Sequence, residues 1–266
     1  MSETEAWQVS DDAAVIYEQQ FVPALFGSWP PSVADAAGIG PGDKVLDVAC
    51  GTGVLAREAS KRVGTEGSVT GLDLNEGMLA VAKRLQPDVD WRQGDAAKLP
   101  FEGGQFDVVV SQFALMYFPE RVAALREMWR VLKPGGRLAV ASWASFEKAQ
   151  GYRLLAEIAE RRTNAEAAAI LRSPFILGDV DELLSLYNEA GIDPVEIKTR
   201  EDFAYFPSTE EFVSAEVKGS PLGDLLSEAE YQALLDEAEE AFAAFREDDG
   251  RITIPMAAHI VSPCKR

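Results

Sequence analysis

The chain has 266 residues, 47% of them hydrophobic and 26% charged, a composition that fits one large globular domain and excludes a disordered or fibrous protein. Its formal net charge of -19 at pH 7 would repel a phosphate backbone, which argues against nucleic acid as a partner. No apolar run reaches the roughly 18 residues of a membrane span and the N-terminus lacks a signal-peptide pattern, so a cytoplasmic protein is expected.

The first predicted element is an amphipathic helix at 11–26, which Ser10 or Asp11 is placed to cap and which has Pro23 near its end. A short helix is predicted at 32–37. Strand and helix patterns then alternate, with strands at 44–48, 68–74, 89–93, 106–111 and 137–143 and helices at 54–63, 75–85 and 121–132. This alternation predicts βαβ units and a doubly wound, Rossmann-like α/β fold with a mostly parallel sheet.

The remainder of the chain is mainly helical. Helical patterns cover 147–172, 179–190 and 208–245, and strand patterns at 194–199 and 251–261 bring the sheet to seven strands, with an antiparallel strand at its edge. Pro255 interrupts the last strand, which favours an edge position or a bulge there. No linker-like segment divides the chain, so we predict a single domain over 1–266. Its parts are a helical cap at 1–40, a ligand-binding core at 41–144, helical lid insertions at 145–178 and 201–250, and further core elements at 179–200 and 251–266.

A glycine-rich turn follows the first predicted strand. Its Gly51-x-Gly53-x-x-Ala56 spacing fits the dinucleotide-binding fingerprint, although an ordinary strand-to-helix turn would look the same. Asp73 ends the second strand about 20 residues later, where it could accept both hydrogen bonds of a ribose diol, and Asp95 follows the third strand. Because parallel strands end at the same edge of a sheet, these residues should converge on one adenosine-shaped cleft.

Four segments extend this pattern from about residue 45 to residue 143. They read VLDVACGTG, VTGLDLNEGML, WRQGDAAKLPFEGGQFDVVVSQFAL and MWRVLKPGGRLAV. In order and spacing they resemble the class I S-adenosylmethionine-dependent methyltransferases, and among them the small-molecule group, methyltransferase type 11, that is related to quinone C-methyltransferases. The resemblance implies an enzyme that moves the methyl group of S-adenosylmethionine onto an O, N or C nucleophile of a small, apolar or aromatic acceptor, leaving S-adenosylhomocysteine.

The same resemblance implies a set of cofactor-binding residues. These are Asp47, Ala49, Gly51 and Gly53 at the amino-acid end, Asp73 at the ribose, Asp95, Ala96, Leu74 and Met78 around the adenine, and Gln112 and Tyr17 toward the methionine part. Several carboxylates suit a cofactor that carries a sulfonium and an ammonium, whereas Asp47 would oppose a pyrophosphate. A purely structural role for Asp47, accepting hydrogen bonds from the loop amides, is compatible with this assignment.

No general base is evident from the sequence. Tyr17 is a weak catalytic candidate, because core packing explains it equally well. His259 is the single histidine, and its place in the last strand favours a packed residue over a base. Cys50 and Cys264 form no metal-ligand spacing with it, so we expect neither metal nor disulfide. An aromatic rim for the acceptor is predicted after the fourth and fifth strands, with about half of its members in the core: Phe113, Met116, Tyr117, Phe118 and Trp143.

Two other functions remain open at this point. One is an NAD-type oxidoreductase, which the glycine spacing and Asp73 would also fit, and the other is an S-adenosylmethionine-binding scaffold without catalysis. The segment 111–116 reads SQFALM where quinone enzymes of the group carry an Arg-Asn pair. A small-molecule acceptor is the expected partner, and a homodimer is left open.

Overall fold

The computed structural model describes residues 11–193 and 195–266, and its centre is one seven-stranded sheet. The strands are β1 Lys44–Val48, β2 Ser68–Asp73, β3 Asp90–Gln93, β4 Phe106–Gln112, β5 Leu132–Trp143, β6 Ile197–Phe206 and β7 Ile252–Val261, in the order β3-β2-β1-β4-β5-β7-β6. The first five pair in parallel, and β7 is antiparallel to both β5 and β6. The predicted doubly wound, mostly parallel α/β fold is confirmed.

Helices connect and cover these strands. In the described residues they are α1 Asp11–Ile16, α2 Pro30–Ala36, α3 Val54–Val63, α4 Glu76–Leu85, α5 Arg121–Val131, α6 Gln150–Arg162, α7 Ala165–Arg172, α8 Val180–Ala190, α9 Thr209–Lys218, α10 Leu222–Leu225 and α11 Glu228–Ala241. Several start at side-chain caps: the Asn75 carboxamide accepts the Met78 amide at α4, and Ser227 and Glu230 form a capping box at α11. None of these helices is long and apolar enough to cross a membrane.

The N-terminal helix changes its winding part-way. After α1 the chain continues as a π-helical segment, Tyr17–Phe26, which contains Pro23 and ends where the Gly27 amide donates to the Val22 carbonyl. The predicted helix at 11–26 is therefore present, but with wider turns in its second part. Ser10, one of its predicted caps, lies outside the described residues. Wider winding of this kind is often found at functional sites, and this segment borders the cavity described below.

The edge strand β6 differs from the prediction. A strand was expected at 194–199, of which Pro194 lies outside the described residues, whereas β6 runs from Ile197 to Phe206. Residues 201–206, predicted to begin a helical insertion, thus belong to the sheet. The reason is its place at the edge, where charged side chains are tolerated and hide the strand pattern. Its neighbour β7 pairs with β5 only over residues 258–261, so Pro255 lies beyond that pairing.

The Trp91 side chain on β3 explains why two neighbouring residues are glycines. Gly71 on β2 pairs directly with Trp91, and a Cβ there would lie 2.3 Å from the indole ring. A Cβ on Gly53, which has a φ of +87°, would lie 2.4 Å from the same ring. The indole Nε1 donates to the Gln86 carbonyl at 2.8 Å, which fixes the ring in place. Both glycines therefore make room for a large core side chain.

Candidate active site

A cavity of about 560 Å³ opens at the carboxyl edge of the parallel strands, a size common for small-molecule sites. Its walls come from the turns that follow β1, β2, β3 and β4 and from Trp143 at the end of β5. The π-helical segment and helices α6, α7 and α9 also contribute to the lining. The chain segments that were expected to converge therefore do so at one place.

The structure brings together nearly all of the sequence-predicted site residues. Those that line the cavity are Tyr17, Asp47, Ala49, Gly51, Asp73, Leu74, Met78, Asp95, Ala96 and Gln112. Gly53 does not line it. Its lack of a side chain is explained by the contact with Trp91 and by its left-handed backbone at the start of α3.

Backbone strain is concentrated at this cavity. Among the described residues, Ala49 and Phe113 are the two non-glycine residues with a positive φ, 55° in each case, and both line the cavity. Such conformations cost on the order of 1–3 kcal/mol each and tend to be retained at functional sites. They follow β1 and β4, where they direct the turns around the ligand space.

Asp47 is the most unusual polar residue of the site. It is only 1% exposed, and within the described part of the chain neither of its carboxylate oxygens has a hydrogen-bond partner. Burial raises the pKa of this carboxyl to about 8; the nearby Asp73 adds to the rise, and the Ala56 amide, which lies near it but outside hydrogen-bonding geometry, and Arg57 oppose it. A buried carboxyl without a partner is costly, so it fits a ligand that brings a positive charge.

Asp73 and Asp95 are fixed by backbone amides. Asp73 Oδ2 accepts the Gly51 amide at 2.7 Å and Oδ1 accepts the Asn75 amide at 2.8 Å, which ties the glycine loop to the end of β2. Burial raises the pKa of Asp73, and these hydrogen bonds partly offset the rise. Asp95 Oδ1 accepts the Ala97 amide at 2.8 Å. Each carboxylate keeps lone pairs for hydroxyl or amino groups of a ligand.

Tyr17 closes the acidic end of the cavity. The tyrosine ring lies next to Gly51, since a Cβ on that glycine would be 3.9 Å from the ring. Burial and the neighbouring Tyr117, Asp73 and Asp47 raise the pKa of Tyr17. It therefore remains a neutral phenol at physiological pH, able to donate a hydrogen bond but poorly suited to act as a base.

The opposite end of the cavity is aromatic. Phe113 stacks on Trp143 with ring centroids 3.7 Å apart and an interplanar angle of 9°, and Phe26 contacts both rings. Of the predicted rim, Phe113, Tyr117, Phe118 and Trp143 line the cavity. Met116 does not, because it is buried in the core.

Two residues of this end were not anticipated from the sequence. Glu216 on α9 and Tyr152 on α6 line the cavity, and the Tyr152 hydroxyl donates to Glu216 Oε1 at 2.5 Å. Burial raises the pKa of Glu216 to about 7. No motif surrounds either residue, but a signal existed: Glu216 is the one charged residue in the mostly apolar segment FVSAEV at 212–217, a pattern typical of a buried helix face.

His259 is a packed residue rather than part of the site. It is buried on β7, where Nε2 contacts the Gly178 carbonyl at 3.1 Å and Nδ1 contacts the Thr199 hydroxyl at 2.8 Å. The carbonyl can only accept, so Nε2 carries a proton. Both ring nitrogens are thus engaged in joining β6, β7 and the turn before α8.

Comparison with known proteins places this site in a family. A family model described as a methyltransferase domain matches residues 45–136. The demethylmenaquinone methyltransferase of Beutenbergia cavernae is 42% identical over 132 residues, which cover 47% of this chain and 53% of that protein. That of Staphylococcus carnosus is 37% identical over 185 residues, which cover 64% of this chain and 76% of that protein. This chain belongs to the class I S-adenosylmethionine-dependent methyltransferases. It spans about half the length of the first relative and three quarters of the second.

Solved structures of other proteins share the fold of this methyltransferase. Phosphoethanolamine N-methyltransferase 2 of Haemonchus contortus, in complex with S-adenosyl-L-methionine, has a TM-score of 0.64 and 18% identity, covering 100% of this chain and 60% of that one. The cyclase SpnF has a TM-score of 0.56 and 23% identity, covering 90% and 80%. Likeness at these identities concerns the fold alone, and the second name shows that one fold serves more than one reaction.

The residues of this methyltransferase fit its family's cofactor. S-adenosylmethionine carries a cationic amino group and a cationic sulfur, and the cavity offers Asp47, a buried carboxyl with two unpartnered oxygens, at the start of the glycine loop. Asp73 presents a fixed carboxylate at the end of β2, where a ribose diol would be bound. Leu74 and Met78 supply apolar surface beside it.

Proposed function

We propose that this methyltransferase transfers the methyl group of S-adenosylmethionine to a small, apolar or aromatic acceptor. One observation carries the proposal: a single cavity has an acidic end at Asp47 and Asp73 and an aromatic end at Phe113 and Trp143. A cationic cofactor and a planar acceptor would then lie side by side in one enclosed space. Proximity and orientation of this kind are the main requirement of methyl transfer from an activated donor.

Residues at the acidic end would bind the cofactor, and those at the aromatic end would bind the acceptor. When bound, S-adenosylmethionine supplies an electrophilic methyl group on a positively charged sulfur. Asp47 would hold the ammonium and Asp73 the ribose hydroxyls, as charge-assisted hydrogen bonds. Gln112 lies between the ends, where its Nε2 donates to the Phe26 carbonyl at 3.3 Å. The aromatic rings tolerate a sulfonium near their faces and would orient a flat acceptor.

Two packed segments cover part of the cavity. Helix α9 ends against the π-helical segment, since a Cβ on Gly219 would lie 2.3 Å from the Phe21 ring. Gly219 and Phe21 both line the cavity. Exclusion of water protects the donor from hydrolysis and strengthens the electrostatic interactions inside.

Two rival functions are separated by one set of titrations. The names of the relatives and the position of Asp47, which offers no positive charge to a pyrophosphate, support the methyl donor over NAD. Calorimetry with S-adenosylmethionine, S-adenosylhomocysteine and NAD tests this directly, and binding of NAD alone would refute the proposal. A scaffold without catalysis would bind the first two but form no S-adenosylhomocysteine with any acceptor.

The acceptor is best sought among aromatic hydroxy compounds. The relatives named as demethylmenaquinone methyltransferases make 1,4-dihydroxynaphthalene a suitable first acceptor. The segment 111–116 lacks the Arg-Asn pair of quinone enzymes, so monocyclic phenols and catechols belong in the same panel. Production of S-adenosylhomocysteine, followed by mass spectrometry, identifies both the acceptor and the methylated atom.

The role of Asp73 provides a residue-level test. Asp73→Ala should weaken S-adenosylhomocysteine binding by roughly 2–4 kcal/mol, because two charge-assisted hydrogen bonds are lost. It should also lower the free energy of unfolding by about 1–3 kcal/mol, since the Gly51 and Asn75 amides lose their acceptors. Asp73→Asn keeps one of the two acceptor oxygens and should lose less of the free energy of unfolding than Asp73→Ala, and Asp88→Ala on the exposed surface is the matched control. Unchanged affinity in both Asp73 variants would refute the assignment.

Other properties follow as proposals. We propose that residues 1–266 act as one domain whose segments 145–178 and 207–250 cover the site, which limited proteolysis with and without S-adenosylhomocysteine would test. The net charge of -19 supports the exclusion of nucleic acid. The exposed free thiol of Cys264 suits the reducing cytoplasm. Sedimentation analysis would decide whether the protein forms a homodimer.

A further inference from the structure

A buried glutamate stands among aromatic rings at the acceptor end of the cavity. Glu216 is 8% exposed, lies on α9 between apolar neighbours, and takes part in none of the ion pairs of the described residues. A carboxylate buried without a cation costs several kcal/mol in proteins. Such a group is retained at a functional site more readily than in a core, where an apolar residue would pack as well.

The position of Glu216 is fixed by its partner. Tyr152 donates to Oε1, and its ring is held edge-on between Phe175 and Phe212, with centroid distances of 5.3 and 5.4 Å. The hydrogen bond engages one carboxylate oxygen. Because Glu216 lines the cavity, its remaining acceptor capacity is available to a ligand there.

Tyr117 connects this pair with the cofactor end. Burial raises the pKa values of Tyr117 and Tyr17, with the charge of Glu216 adding to the first and Tyr117 to the second, and Tyr17 borders the glycine loop. The geometry agrees: α9 ends against the π-helical segment, where a Cβ on Gly219 would lie 2.3 Å from the Phe21 ring, and Phe21 stacks on Tyr17 with ring centroids 6.1 Å apart. Glu216 therefore borders the same cavity as the glycine loop, on the helix that packs against the segment carrying Tyr17.

We propose that Glu216 binds and deprotonates a hydroxyl group of the acceptor, and that the acceptors of this enzyme are accordingly aromatic alcohols of the phenol or quinol class. Tyr152 is a positioning residue for the carboxylate. The inference rests on the proposed function, because it assumes that the acceptor occupies the aromatic end of the same cavity.

The proton moves directly from the acceptor to the protein. The acceptor O–H bond breaks, the proton goes to a carboxylate oxygen of Glu216, and the electron pair stays on the acceptor oxygen. The resulting negative charge spreads to the ortho and para carbons of the ring, so either oxygen or carbon becomes a better nucleophile. With its pKa near neutrality, Glu216 is well matched to accept a proton at physiological pH.

The test uses two small probes, 4-nitrophenol and its methyl ether 4-nitroanisole, which lacks the hydroxyl proton. Each is titrated into the full chain saturated with S-adenosylhomocysteine, and the absorbance of the ionised nitrophenol is recorded from pH 6 to 8, because only the ionised form of Glu216 can accept the proton. Wild-type protein should bind 4-nitrophenol at least about tenfold more tightly than the ether, the gain of one charge-assisted hydrogen bond. The bound nitrophenol should also show more of the ionised band than free nitrophenol at the same pH.

Variants separate this role from a structural one. Glu216→Gln should remove both the preference and the extra ionised band while leaving S-adenosylhomocysteine affinity within about twofold, and Tyr152→Phe should reduce both in part. Glu210→Gln, at an exposed position of the same helix, is the matched control and should behave as wild type. Equal affinity for the two probes, no binding of either, or an ionised band that persists in Glu216→Gln would overturn the inference. Failure to bind S-adenosylhomocysteine would instead overturn the proposed function.

Discussion

Replacing Asp47 by asparagine should remove most of the pH dependence that cofactor binding shows in the wild-type protein. Burial raises the pKa of this carboxyl from 3.8 to about 8, so at pH 7 roughly nine molecules in ten carry the proton when no cofactor is bound. An ammonium group is bound by the ionised form. Binding must therefore release the proton from Asp47, and the free energy needed for that release weakens cofactor binding.

The size of the effect follows from the pKa. For each pH unit below 8, the binding free energy of S-adenosylmethionine becomes about 1.4 kcal/mol less favourable. The affinity should therefore rise roughly 80-fold between pH 5.5 and 7.5. Calorimetry in two buffers of different ionisation enthalpy measures the released protons directly, and close to one should be released at pH 6. The range ends at pH 7.5 because the cofactor's own amino group begins to titrate above it.

Asp47→Asn provides the comparison. Asp73, whose pKa burial also raises, is present in both proteins, so the difference between their pH profiles belongs to Asp47. The variant should bind more weakly at pH 7.5 and show a flatter profile. If wild-type affinity is constant over this range, or if the variant retains the same slope, the assignment of Asp47 to the ammonium is wrong.

The same carboxyl should affect stability in the absence of cofactor. Its folded-state pKa lies above the unfolded value, so its stabilising contribution is complete below about pH 4 and is lost as the pH rises through about 8. The melting temperature of the cofactor-free protein should fall over this window, and less so in Asp47→Asn. Equal falls in the two proteins would contradict the burial argument.

Two further substitutions test packing near the site. Gly53→Ala should lower the free energy of unfolding by more than Gly42→Ala, because both glycines have a similar positive φ (+87° and +83°) but only the Cβ at 53 meets the Trp91 ring. In urea unfolding, Gly42→Ala should lower the free energy of unfolding by about 1–2 kcal/mol. An equal loss in Gly53→Ala would refute the steric explanation. His259→Leu should lower the free energy of unfolding by about 1–3 kcal/mol, because the Thr199 hydroxyl and the Gly178 carbonyl lose their hydrogen-bond partner. The affinity for S-adenosylhomocysteine should be unchanged. A weakened affinity would instead give the histidine a role at the site.

The sequence was most informative where structure is determined locally. Strands β1 and β4 are short, mostly apolar runs bounded by turns, and Asp73 ends β2 at the edge where ligands bind, so pattern and function coincide. Gly53 shows the limit of such reasoning. Its place in the motif suggested a ligand contact, whereas its surroundings show contact with Trp91, a residue on another strand.

The remaining features depend on contacts between distant segments. The π-helical winding after Ile16, the length of β6 and the pairing of Tyr152 with Glu216 have no local signature, because each is determined by packing between parts of the chain far apart in sequence. Glu216 carried a partial signal as a charge within an apolar helical run. That signal identifies a buried carboxylate but not the cavity that it faces.

The contact between Gly71 and Trp91 has a consequence for how this sequence could drift. Because the two are paired across β2 and β3 and share one volume, neither can change size alone without leaving a clash or a void. An exchange of bulk, with a larger side chain at 71 and a smaller one at 91, should be tolerated better than either change by itself. The double variant would then show a favourable coupling energy, and the two positions should vary together wherever this sheet has diverged.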